Sequence, residues 1–291
     1  MIDVLLPFYG DPALLREAVE SVRAQTCGEW RLLVVDDCYP GESVEPWLSG
    51  LGDPRIHYAR NPENLGVNRN FQHCLELAEA DHVVFLGCDD VLLPRYVEVV
   101  AAAARSTSAA MVQCVVEVID SAGRPAMNLT DRVKRRLMPE VRGRLTLSGE
   151  DLARRLLVGN WAYFPAICWD RRAALAHGFR PGLGLVLDLA LILDLVADGA
   201  DFVLLDEVCF AYRRHEDSAS SVAAVDTRRF EEERAFFADV ARQLEDRGWT
   251  RAARAARLHV TSRLHAAALL PAALRTRDRR VVRSLLRHLA R

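Results

Sequence analysis

The chain has 291 residues, of which 51% are hydrophobic and 27% are charged, and its formal net charge is −2. These values predict a folded globular protein with one large domain, or one domain with an appendage. No apolar run approaches the roughly 18 to 20 residues of a membrane span. The N-terminus enters a strand-like segment without the basic start of a signal peptide. We therefore expect a cytoplasmic protein.

The cysteines and the basic residues narrow the protein classes further. The seven cysteines are spread singly with no C-x-x-C pair, which argues against a disulfide framework and a zinc knuckle. Among the 38 basic residues Lys134 is the only lysine, and the other 37 are arginines. Eleven arginines lie in residues 251–291 beside the single acid Asp278. This segment therefore carries +10, and residues 1–250 carry −12.

Strand and helix alternate over the first 100 residues. A first helix is predicted from Pro12, with Asp11 as its N-cap, and a second covers residues 67–80. Such alternation predicts a mostly parallel, three-layer α/β sheet with right-handed crossovers. The predicted strands of this half cover residues 2–7, 30–35, 55–59 and 82–86.

The second half is less regular. Residues 120–144 form a basic segment without periodicity, which we interpret as a loop or lid. Ser148 and Asp151 have the spacing of a capping box at a helix start, and Pro271 is expected to break the C-terminal helices. The other predicted elements are a strand at 110–118, a long apolar helix at 186–197, strands at 202–205 and 208–212, and helices from about 226 onward.

Acidic pairs follow two of the predicted strands. Asp36 and Asp37 end one strand, and Asp89 and Asp90 end another. Ligands of an open α/β sheet bind at this carboxyl edge. Adjacent carboxylates repel one another unless a cation sits beside them, which favours a divalent metal with a phosphate ligand. The alternative is that Asp89 and Asp90 only cap the helix beginning near Pro94.

Six motifs occur in one order along residues 1–222, and together they resemble glycosyltransferase family 2, the large inverting group with the GT-A fold. Two positions depart from the family pattern. Gly87 stands where the family most often has the first Asp of its D-x-D motif, and Leu187 stands before Asp188 where the family often has Glu. The matching segments are the opening strand at 4–9, the acidic turn at 34–37, N-L-G and N-R-N within 64–70, F-L-G-C-D-D…P at 85–94, G-F…D…G at 178–199, and Y-R-R-H…S-x-S at 212–220.

The resemblance implies a nucleotide-sugar donor, an acceptor and a role for each motif. Asp188 is implied as the general base, because a carboxylate in an otherwise apolar segment gains proton affinity; the alternative is a helix cap, because a turn immediately precedes it. Mg²⁺ or Mn²⁺ would be held by Asp89 and Asp90 with His215. The acceptor would contact Asn160, Trp161 and Tyr163, although these side chains fit a core equally well. The implied donor-binding residues are Pro7, Tyr9, Asp36, Asp37, Asn64, Arg69, Cys88, Asp89, Arg213 and Arg214. A carboxylate accepting from uracil N3–H favours a UDP-linked donor.

We expect a GT-A domain at residues 1–222, with a nucleotide-binding half at 1–100 and an acceptor half at 101–222, followed by a helical extension at 223–291. The basic extension suits either peripheral contact with an anionic membrane surface or a helical cap or homodimer element. Nucleic-acid binding has no accompanying motif. The non-enzyme alternative is a degenerate scaffold that binds a nucleotide sugar or a protein partner without turnover.

Overall fold

The computed structural model describes residues 1–214, 227–276 and 279–290 of the chain. Within these residues nine strands form one sheet. The strands are β1 Ile2–Phe8, β2 Trp30–Asp36, β3 Ile56–Arg60, β4 His82–Phe85, β5 Val91–Leu92, β6 Met111–Ile119, β7 Arg144–Leu147, β8 Ile167–Asp170 and β9 Phe202–Arg213. Their order across the sheet is β3-β2-β1-β4-β8-β6-β9-β5, and β7 pairs with β9. Strands β1, β2, β3, β4, β6 and β9 run in one direction, so the described sheet is mostly parallel, as predicted.

Helices cover both faces of the sheet. Along β1, Leu5 joins a core cluster with the helices Val67–Leu77, Gly149–Val158 and Leu187–Ala197. Val4 and Leu6 join a second cluster, with the helices Pro12–Arg23 and Tyr96–Ser106. Successive strand residues point to opposite faces, so this alternation shows a sheet buried on both sides and confirms the three-layer prediction. The helices before residue 215 are α1 Pro12–Arg23, α2 Glu45–Gly50, α3 Val67–Leu77, α4 Tyr96–Ser106, α5 Leu129–Leu137, α6 Gly149–Val158, α7 Arg171–His177 and α8 Leu187–Ala197.

Local capping explains several helix starts. Asp11 caps α1 as predicted, because its side chain accepts the N–H of Ala13 at 2.8 Å. The predicted capping box at Ser148 is wrong, since Ser148 makes no side-chain capping bond. Asp151 instead accepts from Arg155 Nε at 2.6 Å and pairs with a second arginine of α6, so its carboxylate is engaged within its own helix.

Two predicted elements differ from the structure. The segment at 120–144, expected to be irregular, contains helix α5, which Asn128 caps by accepting the N–H of Asp131 at 2.9 Å. Two of its apolar side chains, Leu129 and Val133, are exposed, so this part of its apolar face does not pack against the core. The predicted strand pair at 202–212 is a single strand, β9, whose register against β6 shifts between Gln113 and Val116.

The C-terminal helices are α9 Thr227–Asp246, α10 Thr250–Leu258, α11 Val260–Thr276 and α12 Arg279–Ala290. The predicted break at Pro271 is wrong, because α11 continues through that residue. Helix α9 packs against the preceding part of the chain, because its residues Phe236, Phe237, Val240 and Leu244 are buried in the core cluster that also holds α8. The start of the C-terminal region thus shares a core with the preceding domain. No helix of the described residues is long and apolar enough to cross a membrane.

Candidate active site

The acidic pair after β2 is buried and already hydrogen-bonded. Asp36 accepts from the Tyr39 N–H and the Tyr58 hydroxyl, both at 2.7 Å, and it forms an ion pair with Arg60. Asp37 follows at the strand end and is 3% exposed. A carboxylate has about four acceptor positions, so these bonds hold the strand end in shape and leave little capacity for a further partner.

Asp37 organises the N-L-G turn that follows β3. Its two oxygens accept from Asn61 Nδ2 and the Leu65 N–H at 2.8 Å, and from the Gly66 N–H at 2.9 Å. Gly66 has φ +76°, a left-handed conformation that favours glycine. Asn64, which is predicted to bind the nucleotide-sugar donor, is exposed, and its Oδ1 accepts the same Gly66 N–H at 3.0 Å. The turn before α3 is therefore built around one buried carboxylate.

Helix α3 carries the next part of the motif. Arg69 is exposed, and its Nε donates to the Leu65 carbonyl at 3.1 Å. Asn68 points the other way, and its Nδ2 donates to the carbonyls of Arg180 and Leu183 at 2.9 and 2.6 Å. The N-R-N segment thus joins the acidic turn to the glycine-rich turn that precedes α8.

The first loop supplies an accessible aromatic ring. Tyr9 follows β1, is 54% exposed, and lies edge-on to Tyr39 with ring centroids 6.1 Å apart. Pro7 is partly buried within β1, opposite Val35. Cys88 is partly exposed as a residue, but burial of its thiol raises the pKa to about 12. The charges of Asp89 and Asp90 act in the same direction. Of these predicted donor residues, Tyr9 has the surface that a planar base needs for stacking.

The two carboxylates after β4 differ in environment. Asp90 is buried, and its Oδ1 accepts the Arg213 N–H at 2.9 Å. Burial, followed by the charge of Asp89, raises the pKa of Asp90 well above its usual range, while Arg213 acts in the opposite direction. Asp89 is partly exposed, and its backbone carbonyl accepts from Arg213 Nε at 2.7 Å.

The adjacent arginines at the end of β9 have separate roles. Arg213 is 3% exposed, and its guanidinium also donates to the carbonyls of Asp120 and Ser121 and pairs with Glu17. These bonds make Arg213 a buried clamp between segments, which disagrees with its predicted contact to the donor phosphates. Arg214 is more accessible, and one of its terminal nitrogens donates to Asp131 at 2.9 Å.

Asp188 lies in the first turn of α8. It is partly exposed, its Oδ2 accepts from Asn160 Nδ2 at 3.2 Å, and its Oδ1 accepts the Leu189 N–H at 2.7 Å. Burial raises the pKa of Asp188, and the Leu189 N–H, the charge of Lys134 and the Asn160 amide act against that increase. A carboxylate with raised proton affinity on a partly exposed residue has the properties of a general base.

The segment at 160–163 was predicted to contact an acceptor. Asn160 instead orients Asp188, as described above. Trp161 is fully buried and packs on Phe202 with ring centroids 5.8 Å apart, which places its indole in the core, out of reach of an acceptor. Tyr163 is 8% exposed, and its hydroxyl donates to Asp131 Oδ1 at 3.3 Å. The segment therefore contributes buried packing and the orientation of Asp188, more than a surface for the acceptor.

Two charged residues near Asp188 had no signal in the sequence motifs. Lys134, from α5, is partly buried, and its Nζ donates to the Ala162 carbonyl at 3.0 Å. Glu232, from α9, accepts the Leu185 N–H at 2.7 Å in the turn before α8. In the sequence, Lys134 is marked only by its place in the basic segment at 120–144 and by being the single lysine. No sequence feature marks Glu232.

Comparison with known proteins gives the family. The family model described as "Glycosyl transferase family 2" matches residues 3–170, which is more than half of the chain. The chain belongs to glycosyl transferase family 2. The matched segment contains both acidic pairs and the N-L-G turn, and it ends with β8, so Asp188, Arg213 and Arg214 lie beyond it.

Curated relatives match this family 2 chain over about a third of its length. A putative colanic acid biosynthesis glycosyl transferase, WcaA of Escherichia coli, is 28% identical over 100 residues, covering 34% of this chain and 36% of the relative. The succinoglycan biosynthesis protein ExoW of Rhizobium meliloti is 37% identical over 98 residues, covering 32% and 30%. The chain thus aligns with about a third of the length of these two relatives.

Solved structures share the fold over most of the chain. S. aureus TarS 1-349 in complex with UDP-GlcNAc has a TM-score of 0.64 at 16% identity, covering 81% of this chain and 65% of that one. The mannosyltransferase PcManGT from Pyrobaculum calidifontis, in complex with GDP-Man and Mn²⁺, has a TM-score of 0.63 at 16% identity, covering 99% and 79%. This likeness shows the fold and confirms the predicted GT-A architecture.

The D-x-D position of this family 2 chain has one carboxylate fewer than the family pattern, because Gly87 replaces the first Asp. Asp89 and Asp90 remain as candidate metal ligands. A Cβ atom on Gly87 would lie 2.6 Å from Asp90 Oδ2 and 2.9 Å from Asp89 Oδ1, so two carboxylate oxygens converge on one space. Mg²⁺ is bound through one or two carboxylates together with substrate phosphates, and the pair fits that arrangement. Within the described residues no group of three or more His, Cys, Asp or Glu side chains is placed to hold a metal ion. His215, the third predicted ligand, lies outside the described residues.

Proposed function

We propose that this chain transfers a sugar from a nucleotide-sugar donor to a hydroxyl or amine of an acceptor by single displacement, with Asp188 as the general base. The observation that carries the proposal is the setting of Asp188: the residue is partly exposed, burial raises the pKa of its carboxyl group, and Asn160 donates a hydrogen bond that orients it. Membership of family 2 supports the reaction class.

Interactions link the acidic turn at 34–37, the N-L-G turn, the glycine-rich segment before Asp188 and the arginines at the end of β9. Asp37 holds the N-L-G turn, and Asn68 beyond that turn bonds to the glycine-rich segment before Asp188. On the other side, the charge of Arg214 acts on both Asp90 and Lys134, and the charge of Lys134 acts on Asp188. Residues far apart in the sequence are therefore linked by hydrogen bonds on one side and by electrostatic interactions on the other, which supports a common site.

The chemistry assigned to the residues is a proton transfer coupled to a displacement. Asp188 takes the proton from the attacking acceptor oxygen or nitrogen. The bond from that atom to the anomeric carbon forms as the bond from the same carbon to the diphosphate oxygen breaks. Attack from the face opposite the leaving group inverts the anomeric configuration. In this proposal the nucleoside diphosphate departs with negative charge that Arg214 offsets through charge-assisted bonds.

A divalent cation would neutralise the departing diphosphate further. Asp89 and Asp90 are the residues that would hold Mg²⁺ or Mn²⁺, because their oxygens converge beside Gly87. When bound, such a cation supplies Lewis-acid stabilisation of phosphate oxygens. PcManGT is described with Mn²⁺, which supports the assignment by analogy of fold.

The donor is proposed to be UDP-linked, with Tyr9 stacking on the base, while Asp36 and Asp37 only hold the neighbouring turns in shape. The exposure of Tyr9 supports the stacking role. One solved relative binds UDP-GlcNAc and another binds GDP-Man, so both nucleotides are represented on this fold. Thermal-shift measurements with UDP-, GDP- and dTDP-sugars test the preference. A larger shift with GDP-sugars would overturn it.

The acceptor is proposed to lie at a membrane surface or on a glycan. Leu264, Leu274 and Leu286 on the last two helices are at least half exposed, and arginines are frequent around them. Exposed leucines among arginines suit an anionic lipid surface. Sedimentation with phosphatidylglycerol vesicles, compared with phosphatidylcholine vesicles, tests this contact.

The experiment for the function is donor turnover in Asp188→Asn. We expect a fall in kcat of about 10²–10⁴-fold, with donor binding retained in a thermal-shift assay. Asp198→Asn is the matched control, because Asp198 caps the far end of the same helix and is largely exposed. Donor binding without released diphosphate in the unaltered protein would favour the scaffold alternative. Full turnover in Asp188→Asn would exclude Asp188 as the base.

A further inference from the structure

Lys134 is the single lysine of a chain with 37 arginines, and it lies beside the proposed base. It sits on α5 with its Nζ 4.4 Å from the centroid of the Tyr163 ring. The same Nζ donates to the Ala162 carbonyl at 3.0 Å. A compact ammonium fits this combination of one carbonyl and one ring face, whereas a guanidinium presents a wide planar fork.

A short series of hydrogen bonds joins Lys134 to Asp188. After the Lys134 bond to the Ala162 carbonyl, the Ala162 N–H donates to Asn160 Oδ1 at 3.2 Å. Asn160 Nδ2 then donates to Asp188 Oδ2 at 3.2 Å. Because Asn160 is held at both ends of its amide, its orientation is fixed, and the carboxylate that it contacts is oriented with it.

Charges on several elements act on Lys134. Burial lowers the pKa of its ammonium to about 8, the Asp188 carboxylate on α8 opposes that decrease, Arg214 at the end of β9 adds to it, and Asp131 on α5 opposes it. The effect is mutual, because the charge of Lys134 lowers the pKa of Asp188, which burial raises.

We infer that Lys134 is a positioning residue for the reaction: it keeps Asp188 in the ionised, proton-accepting form and fixes its carboxylate through residues 160–162. The catalytic part of this inference rests on the proposed function. The electrostatic coupling between Lys134 and Asp188 does not, and it is measured separately.

The coupling is measured without any substrate. Because the chain has one lysine, protein grown with ¹³C-labelled lysine gives a single side-chain Cε signal, whose pH titration reports the pKa of Lys134. We expect a pKa near 8 in the unaltered protein, below the ordinary value of about 10.4. It falls further in Asp188→Asn, since the carboxylate charge that supports the ammonium is removed. An equal pKa in the two proteins overturns the inference.

The positioning role is measured from the pH dependence of kcat/KM. With the ammonium gone in Lys134→Met, the pKa of Asp188 rises, so the acid limb of the profile moves to higher pH by about one unit. Lys134→Arg keeps a charge and restores most of that limb. Arg135→Met, at the next and exposed position of α5, leaves the limb in place. An unmoved acid limb in Lys134→Met overturns the role while the proposed function stands. A chain that transfers no sugar refutes the proposed function and the role with it, and the titration still reports the coupling.

Discussion

Glu232 reaches from α9 to the backbone of Leu185, whose N–H it accepts at 2.7 Å through Oε1. The same oxygen accepts the N–H groups of Gly184 and Val186 at 3.0 and 3.2 Å. These three donors form the turn that leads into α8, two residues before Asp188. One carboxylate of the C-terminal region therefore holds the start of the helix that carries the proposed base.

Removing this carboxylate should weaken catalysis more than folding. In Glu232→Ala three backbone donors lose their shared acceptor, and Asp188 is less firmly placed. We expect kcat to fall about tenfold or more, because small misplacements of a catalytic group have large rate effects, with KM for the donor nearly unchanged. The matched control is Glu231→Ala, at the adjacent exposed position of α9. Equal kcat values for the two variants would contradict the role given to Glu232.

The sheet and its layers could be predicted from the sequence, because buried parallel strands are short apolar runs separated by helical periods. Helix α5 was missed for a physical reason. Its apolar residues Leu129, Val133 and Leu137 have helical spacing, but they are only three in a short basic segment, and Leu129 and Val133 pack on no core in the structure. The merged strand β9 was divided in two because Asp206 and Glu207 interrupt its apolar run, and both are exposed in the structure.

The site was predictable only where a motif carries it. Asp37 and Asp188 stand at motif positions, and the structure gives both a defined setting. Lys134 and Glu232 act through contacts between elements distant in the chain, and no local pattern specifies such pairs. The sequence could not show whether Arg213 binds a phosphate or joins segments of the protein, because a guanidinium suits both roles. Its burial in the structure decides for the second role.

Restoring the family aspartate at Gly87 should harm the protein. A Cβ there would lie within 3 Å of carboxylate oxygens of Asp89 and Asp90, and Gly87→Asp adds a third negative charge to the pair. We expect Gly87→Asp to lower the free energy of unfolding by about 1–3 kcal/mol, the usual range for overpacking, as measured by urea denaturation in metal-free buffer.

Two further variants separate the steric from the electrostatic cause. Gly87→Ala introduces only the Cβ and should account for part of the loss. Gly50→Ala is the control, because a Cβ at Gly50 meets nothing within 4 Å. A Gly87→Asp protein as stable as the unaltered one would show that the loop at 87–90 rearranges freely.

Asp3 provides a prediction about pH. Its carboxylate is fully buried in β1, pairs with Arg31 at 2.7 Å, and accepts the N–H groups of Glu79 and Ala80 at 2.6 and 2.9 Å. Burial alone would raise the pKa of Asp3, but the Arg31 hydrogen bond and the two backbone bonds outweigh it, so the pKa is lowered. A group with a lowered folded pKa stabilises the protein above its unfolded pKa of about 3.9 and loses that contribution as pH falls through the folded value.

The Asp3→Asn variant should therefore be most different from the unaltered protein at neutral pH. We expect a loss of about 1–3 kcal/mol in the free energy of unfolding near pH 7, because Arg31 and two backbone N–H groups lose a buried charged acceptor while Arg31 keeps its pair with Glu79. The difference should shrink as pH falls below about 4, where Asp3 of the unfolded chain binds a proton, and it should vanish only below the lowered pKa of folded Asp3. Asp246→Asn, at the exposed end of α9, serves as the control. Urea denaturation from pH 3 to 7 measures both variants, and a pH-independent difference for Asp3→Asn would show that its charge does not stabilise the fold.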